Sequence, residues 1–174
     1  EIRRCIACND CVAMENKGWQ LHCTINPLLG NEYLNPIKPA VKKKKVLIIG
    51  GGPAGMECAL TAKMRGHEVT LVEKEKSLGG QMRAASTPAY KEQEINALIE
   101  YYSYMLDKLE VKVELGKEIN SEKTDSYDAD VVVLAMGAIP MCPSFKGGEN
   151  ARSAFEPGMI FDATQSGFWT GIEI

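Results

Sequence analysis

The 174-residue sequence has no long apolar run. Even a run such as Val131-Val132-Val133-Leu134-Ala135 falls far short of the roughly 20 residues that cross a bilayer, so no membrane partner is expected. Histidine is scarce: His22 and His67 are the only two. With so few, no nucleophile–base pair and no candidate general base stands out. Neither sign of charge dominates, since 20 Lys and Arg face 23 Asp and Glu for a net charge of −3. No secretory signal is visible, which gives the expectation of a cytoplasmic protein. What is present is ordinary globular material: 45% hydrophobic and 25% charged residues speak against disorder. The length suggests one domain with an appendage, and the start at Glu1 suggests a piece cut between modules.

The small net charge conceals an asymmetry. Residues 1–45 hold eight Lys and Arg against four acids, and the acidic surplus lies beyond them. Half of those cations are the row Lys42-Lys43-Lys44-Lys45, without interleaved aromatics. That pattern reads as a solvated linker end, and no nucleic-acid partner is expected.

Cysteine is more uneven still. Four of the six fall in residues 5–23, as Cys5-x2-Cys8-x2-Cys11-x11-Cys23. A disulfide framework suits small secreted chains. Structural zinc usually draws its ligands from two separated pairs, which this spacing matches poorly. A [4Fe–4S] cube matches it better, because one short loop can wrap three corners while a remote thiolate holds the fourth. Zinc remains the blander alternative. Arg3, Arg4 and Lys17 lie near enough in sequence to offset an anionic centre, although an exposed arginine pair is an equally ordinary reading. His22 adjoins Cys23 and reads as a hydrogen-bonded or exposed loop residue, and His67 as a solvent-facing turn residue.

From residue 45 the pattern changes. The buried-strand run Val46-Leu47-Ile48-Ile49 leads into Gly50-Gly51-Gly52-Pro53-Ala54-Gly55, and a helical stretch over 56–65 follows. Gly66 is placed to end that helix, and residues 68–73 read as a second strand ending in Glu73. Alone, G-x-G-x-x-G is weak evidence. Between a strand and a helix, with an acid about 20 residues on, it is a dinucleotide fingerprint. Gly50 permits the turn, Gly52 lets backbone approach a pyrophosphate, Gly55 lets helix pack on strand, and Glu73 can accept from an adenosine ribose. Apolar residues at Ile95, Leu98, Ile99, Tyr102, Met105, Leu106 and Leu109 predict an amphipathic helix over 91–109. Tyr101, Tyr102 and Tyr104 on it read as packing and surface residues. Strands at 111–115 and 130–135 complete a Rossmann-like α/β fold, a parallel sheet of order 3-2-1-4. Cys58 reads as a small core residue, and Cys142 as a loop thiol.

Taken together, Arg4-Cys5-Ile6-Ala7-Cys8-Asn9-Asp10-Cys11 and Cys23-Thr24-Ile25-Asn26-Pro27 resemble the cluster loop of the NADH:flavin oxidoreductases with an iron–sulfur centre, such as 2,4-dienoyl-CoA reductases and trimethylamine dehydrogenase. Residues 43–73, Leu78-Gly79-Gly80-Gln81 and the stretch 128–140 are similar to that family's flavin or ADP domain, with Met136 where its A-T-G-x-x-P motif has Thr. The resemblance covers about residues 3–147. It implies Cys5, Cys8, Cys11 and Cys23 as [4Fe–4S] ligands. It also implies Gly50, Gly52, Pro53, Ala54 and Gly55 along a pyrophosphate, with Glu73 on the ribose. Gly80, Gln81, Arg83 and the backbone near Ile119 would complete the nucleotide pocket, and Ala135 and Gly137 would pass beneath it. FAD is the favoured ligand because of the Gly79-Gly80 pair, with ADP as the alternative.

The implied organisation is a cluster segment and linker over 1–41 and a dinucleotide-binding domain, incomplete, over 42–174. An FMN-binding TIM barrel and a pyridine-nucleotide domain that takes NAD(P)H would be its partners within a longer protein. The chain alone is not expected to turn over. Glutamate synthase small subunits also join cysteine segments to an FAD domain, but their cysteine region is longer. The tail over 153–174 matches the family poorly, and Phe168-Trp169 has no account from sequence.

Overall fold

Four short segments pair in parallel: β1 (Lys45–Ile49), β2 (Glu68–Val72), β3 (Lys112–Glu114) and β4 (Val131–Leu134), in the order β3-β2-β1-β4. The computed structural model describes residues 2–138 and 160–174. The 3-2-1-4 order expected from the sequence is therefore present. Register sets Ile48 of β1 opposite Leu71 on one side and Val133 on the other. Central β1 is buried from Val46 to Ile49, as a β-branched run between two neighbouring strands requires. Among the described residues the fully apolar β4 pairs with β1 alone and stands at the edge of the sheet, and Leu134 is 69% exposed.

Between β1 and β2 runs α2 (Pro53–Met64). Its residues 55–62 are all buried, so it is covered on every side rather than on one stripe. Gly66 follows in the left-handed region (φ 93°), and its N–H bonds to Lys63 O at 2.8 Å, ending the helix as expected. A long helix, α4 (Ala89–Lys108), buries Ile95, Leu98, Ile99, Tyr102 and Leu106, the face its periodicity marks. Burying each of these is worth about 1.5–3 kcal/mol. Shorter helices are α1 (Asp10–Asn16), α3 (Met82–Ala85) and α5 (Ser121–Thr124).

The tail supplies α6 (Ile160–Glu173), which lies on α2. Close approach comes from Gly167 and Gly171. A Cβ on Gly167 would stand 2.0 Å from Ala54 O, and one on Gly171 would stand 2.7 Å from Thr61 Cβ. Phe168 is buried there at 1% exposure, while the Trp169 side chain lies outside the described residues. Residues 1–41 do not hang free: Ile6 and Ile25 join the same core as β1, α2 and α4. The rest of that segment leaves Trp19, Leu21, Tyr33 and Leu34 exposed. Among the described residues, no helix is long and apolar enough to cross a membrane.

Two single-residue readings resolve differently. Cys58 is fully buried in the core, and burial, assisted by the neighbouring Glu57 charge, pushes its thiol up to about 12. His67 is not solvent-facing. It is 2% exposed, and its Nδ1 accepts the Lys44 N–H at 3.2 Å, tying the linker to the β2 entrance. The turn after α2 folds its ring under the chain, a tertiary effect absent from the local sequence. Burial, with the Arg65 and Lys44 charges, holds the ring below its ordinary 6.5.

A pH dependence follows. The unfolded chain binds a proton near 6.5 that the folded chain refuses, so the His67 contribution is full above 6.5 and lost as pH falls through the lower folded value. Urea unfolding at stepped pH is expected to show this loss, about 1.4 kcal/mol per unit of displacement. His67→Asn, which keeps an acceptor for Lys44, is expected to flatten it. An equally steep profile in the variant would contradict the assignment.

Candidate functional site

The turn between β1 and α2 is held by close backbone contacts. Gly50 adopts φ 117°, and a Cβ there would fall 2.2 Å from Ala135 O. Gly55 sits still tighter: its Cβ would stand 1.9 Å from Gly50 O and 3.3 Å from the Ala135 Cβ. These two glycines let the first turn of α2 lie directly on the ends of β1 and β4. Gly52, by contrast, faces nothing within 4 Å. It is the N-cap of α2 with no side chain capping it, and Pro53 follows at the first helical position. The uncapped N–H groups at Ala54 and Gly55 and the positive end of a 12-residue helix face this open side.

A second glycine loop closes on the first. Gly79 N–H donates to Gly51 O at 2.9 Å. Gly80, at φ 50°, would bring a Cβ to 3.0 Å from Gly52 Cα, so a side chain there is strained and crowds the first loop. Gln81 Nε2 donates to Ala138 O at 3.2 Å, joining this loop to the exit of β4 just past Gly137. Arg83 is exposed, with its Nε donating to Leu78 O at 2.9 Å. Ile119 stands apart: it packs with Leu47, Ile49 and Val72 on a face of the sheet. Ile139, Pro140 and Cys142 lie outside the described residues.

Glu73 has a task beyond the one its position suggests. Buried at 7% exposure, it accepts from Gly51 N–H at 2.5 Å with Oε2 and from Glu75 N–H at 2.8 Å with Oε1. The carboxylate therefore fastens the glycine turn to the end of β2. Two of its roughly four lone-pair sites remain for a ribose hydroxyl. A cradle that Cβ atoms would fill, an uncapped helix end and a buried carboxylate at its rim fit an adenine dinucleotide.

The cysteine segment packs beside α4. Cys5 and Cys23 line one open cavity of about 380 Å³ with Arg3, Ile25, Asn26, Leu29 and Tyr101. Ala7 N–H points at Cys5 Sγ (3.3 Å), and Cys8 Sγ lies 3.1 Å from the Thr24 hydroxyl, next in sequence to Cys23. Left-handed backbone at Ala7 and Asn9 coils the loop between these thiols. Cys11 lies on α1, and the His22 ring bonds Asp10 Oδ2 at 2.7 Å, the hydrogen-bonded loop role expected of it. Among the described residues, no three His, Cys, Asp or Glu side chains gather closely enough to hold one metal ion. A four-iron cube sets a different requirement, since each thiolate takes its own corner. Soft sulfur donors with N–H and O–H groups on them are suitable chemistry for such a centre.

One cluster is not visible in the motifs. Arg3 is no exposed residue: its Nη1 lies 3.0 Å from Glu57 Oε2 and also donates to Ile25 O, while the guanidinium stacks 4.8 Å from the Tyr101 ring centroid. Tyr102 O–H donates to Glu57 Oε2 at 2.7 Å. Arg4, the other half of the pair, is exposed. Burial pushes the Glu57 carboxyl up, against the pull of Arg3 and Tyr102. The available signal was an acid inside the apolar run of α2, which demands a partner.

A strand, a glycine turn, an uncapped helix and a parallel sheet of order 3-2-1-4 define an α/β domain of the Rossmann class. Residues 44–161 match the Pyridine nucleotide-disulphide oxidoreductase family, and the chain belongs to that family. It is 41% identical over 156 residues to NADH oxidase of Thermoanaerobacter brockii, covering 88% of this chain and 24% of that one. It is 41% identical over 150 residues to bilirubin reductase of Mediterraneibacter gnavus, covering 85% and 23%. A solved 2-naphthoyl-CoA reductase superposes with TM-score 0.79 at 38% identity, over 84% of this chain and 22% of that chain. These relatives bear out the resemblance to the NADH:flavin oxidoreductases. The chain spans about a quarter of the length of the curated relatives it matches.

Substitutions in the cradle separate its two parts. Gly55→Ala is expected to cost about 1–3 kcal/mol by overpacking against Gly50 and to weaken ADP binding at least tenfold. Glu73→Ala is expected to cost a further 1–3 kcal/mol, roughly, by leaving two backbone donors unpaired, as well as weakening ADP. Thermal unfolding and calorimetric titration with ADP check both. Glu73→Ala with unchanged stability would refute its tether role.

Proposed function

We propose that this chain is the electron-transfer module of a flavin- and iron–sulfur-dependent oxidoreductase, holding the adenine end of FAD and a [4Fe–4S] centre. The observation that carries the reading is the meeting of two glycine loops at an uncapped helix N-terminus, with Gly80 against Gly52 and Glu73 fastening the turn. Gly52, Pro53, Ala54 and Gly55 would lie along the pyrophosphate, with Glu73 orienting the ribose. Gly80, Gln81 and Arg83 would close the pocket from one side, and Ala135 and Gly137 from beneath. Cys5, Cys8, Cys11 and Cys23 would hold the cluster. When bound, such groups exchange hydride pairs for single electrons; the chain's own residues bind, orient and bury them.

The whole protein would add an FMN-binding barrel and a pyridine-nucleotide domain using NAD(P)H. Exposed Trp19, Leu21, Tyr33 and Leu34 on the cysteine segment support a docking face for such a neighbour.

Anaerobic reconstitution with iron, sulfide and either FAD or ADP tests the proposal. The chain is expected to take up iron and inorganic sulfide with a broad visible absorbance and to retain FAD through desalting. Cys11→Ala is expected to lose the iron while keeping the nucleotide and the unfolding midpoint of the domain. Retention of ADP but not FAD would favour an ADP-holding docking domain. Zinc without iron in anaerobically purified protein would make the segment a zinc staple.

A further inference from the structure

The buried pair Arg3–Glu57 is oriented. Arg3 lines the cavity shared by Cys5 and Cys23, whereas Glu57 lies behind it on α2, with its side chain 3% exposed and outside the cavity lining. The cation is thus the end presented to the cavity and the carboxylate the far end. Four contacts fix this direction: Glu57 at 3.0 Å, the Ile25 carbonyl, and the faces of Tyr101 and Tyr102 at 4.8 and 5.3 Å. Tyr102 in turn anchors Glu57, so the carboxylate cannot swing toward the cavity without losing that bond. A planar fork held on this many sides is a fixed charge rather than a surface counter-ion.

Fixed charges near an iron–sulfur centre act on its redox equilibrium. Each electron accepted makes the occupant one unit more anionic, with no bond formed or broken, so a nearby cation favours the reduced state and a nearby anion opposes it. We infer that the Arg3–Glu57 pair is a built-in electrostatic setting of the cluster's reduction potential, with Arg3 raising it and Glu57 moderating Arg3. This rests on the iron–sulfur reading of the cysteine segment given above. Arg3 and Glu57 act as positioning residues: neither is a thiolate ligand. The pair also ties the cavity to α2, the helix whose N-terminus forms the dinucleotide cradle.

The test is a reductive titration of the reconstituted chain with dithionite, followed by electron paramagnetic resonance. Glu57→Gln keeps an acceptor for Tyr102 and removes the moderating charge, so the midpoint potential is expected to rise. Arg3→Met removes the pair's cation, so it is expected to fall, while Arg3→Lys stays close to wild type. Opposite shifts in E57Q and R3M are an outcome that a merely structural pair would not give. If R3M takes up no iron, E57Q carries the test, and an unmoved or lowered potential there overturns the inference. Wild-type iron content with unmoved potentials in both variants overturns it while sparing the cluster reading. A wild-type chain that takes up no iron overturns both.

Discussion

The fold turns on one contact, the first turn of α2 lying against the carbonyl of Gly50. A side chain at residue 55 would stand 1.9 Å from that oxygen, so the helix can leave the strand in this direction only with glycine there. The direction decides much else. It brings the open N-terminus of α2 over the ends of β1 and β4, and it places residues 55–62 under α4 and α6. It also carries Glu57 to the place where Arg3 meets it. Pairing of β1 with β2 and β4 supplies the platform, and the glycine contact sets what the platform presents.

Seen this way, the two candidate sites share one scaffold. The dinucleotide cradle is nearly all backbone: glycines leave room, N–H groups face the open side, and one buried carboxylate holds the turn in shape. The cysteine segment is nearly all side chain, with thiols, an arginine and tyrosines on a loop whose own core contribution is Ile6 and Ile25. Backbone sites tolerate little change because no side chain can be trimmed to make room. Side-chain sites depend on what fastens the loop, and here the fastening is a buried ion pair with a tyrosine behind it. Removing one member of such a pair leaves the other uncompensated, a cost of about 3–5 kcal/mol.

The sheet order, helices α2 and α4 and the glycine turn were legible because each rests on short-range pattern, whereas α6 was not read from the sequence. A β-branched run, an i, i+3, i+4 spacing and G-x-G-x-x-G act within a few residues of themselves. What was not legible joins distant residues. Arg3 and Glu57 are 54 positions apart, and only the acid inside an apolar helix hinted at a partner. His67 reads locally as a turn residue, yet the linker carrying Lys44 passes over it. Glu73 was legible as a ribose acceptor, but its grip on Gly51 depends on the turn geometry rather than on residue spacing. The glycines at 167 and 171 stand four apart, a small-residue spacing that in hindsight marks close packing of α6 on α2.

A dinucleotide bound along the open side of Gly52 would perturb the backbone amides around it, and those resonances can be followed one by one. Titrating FAD into isotopically labelled protein is expected to shift the amides of Gly51, Gly52, Ala54, Gly55 and Gly80 first and furthest, saturating at equimolar ligand. Shifts centred on the exposed face of β4 and α6, with those glycine amides unmoved, would place the ligand elsewhere and leave the glycine loops without a nucleotide.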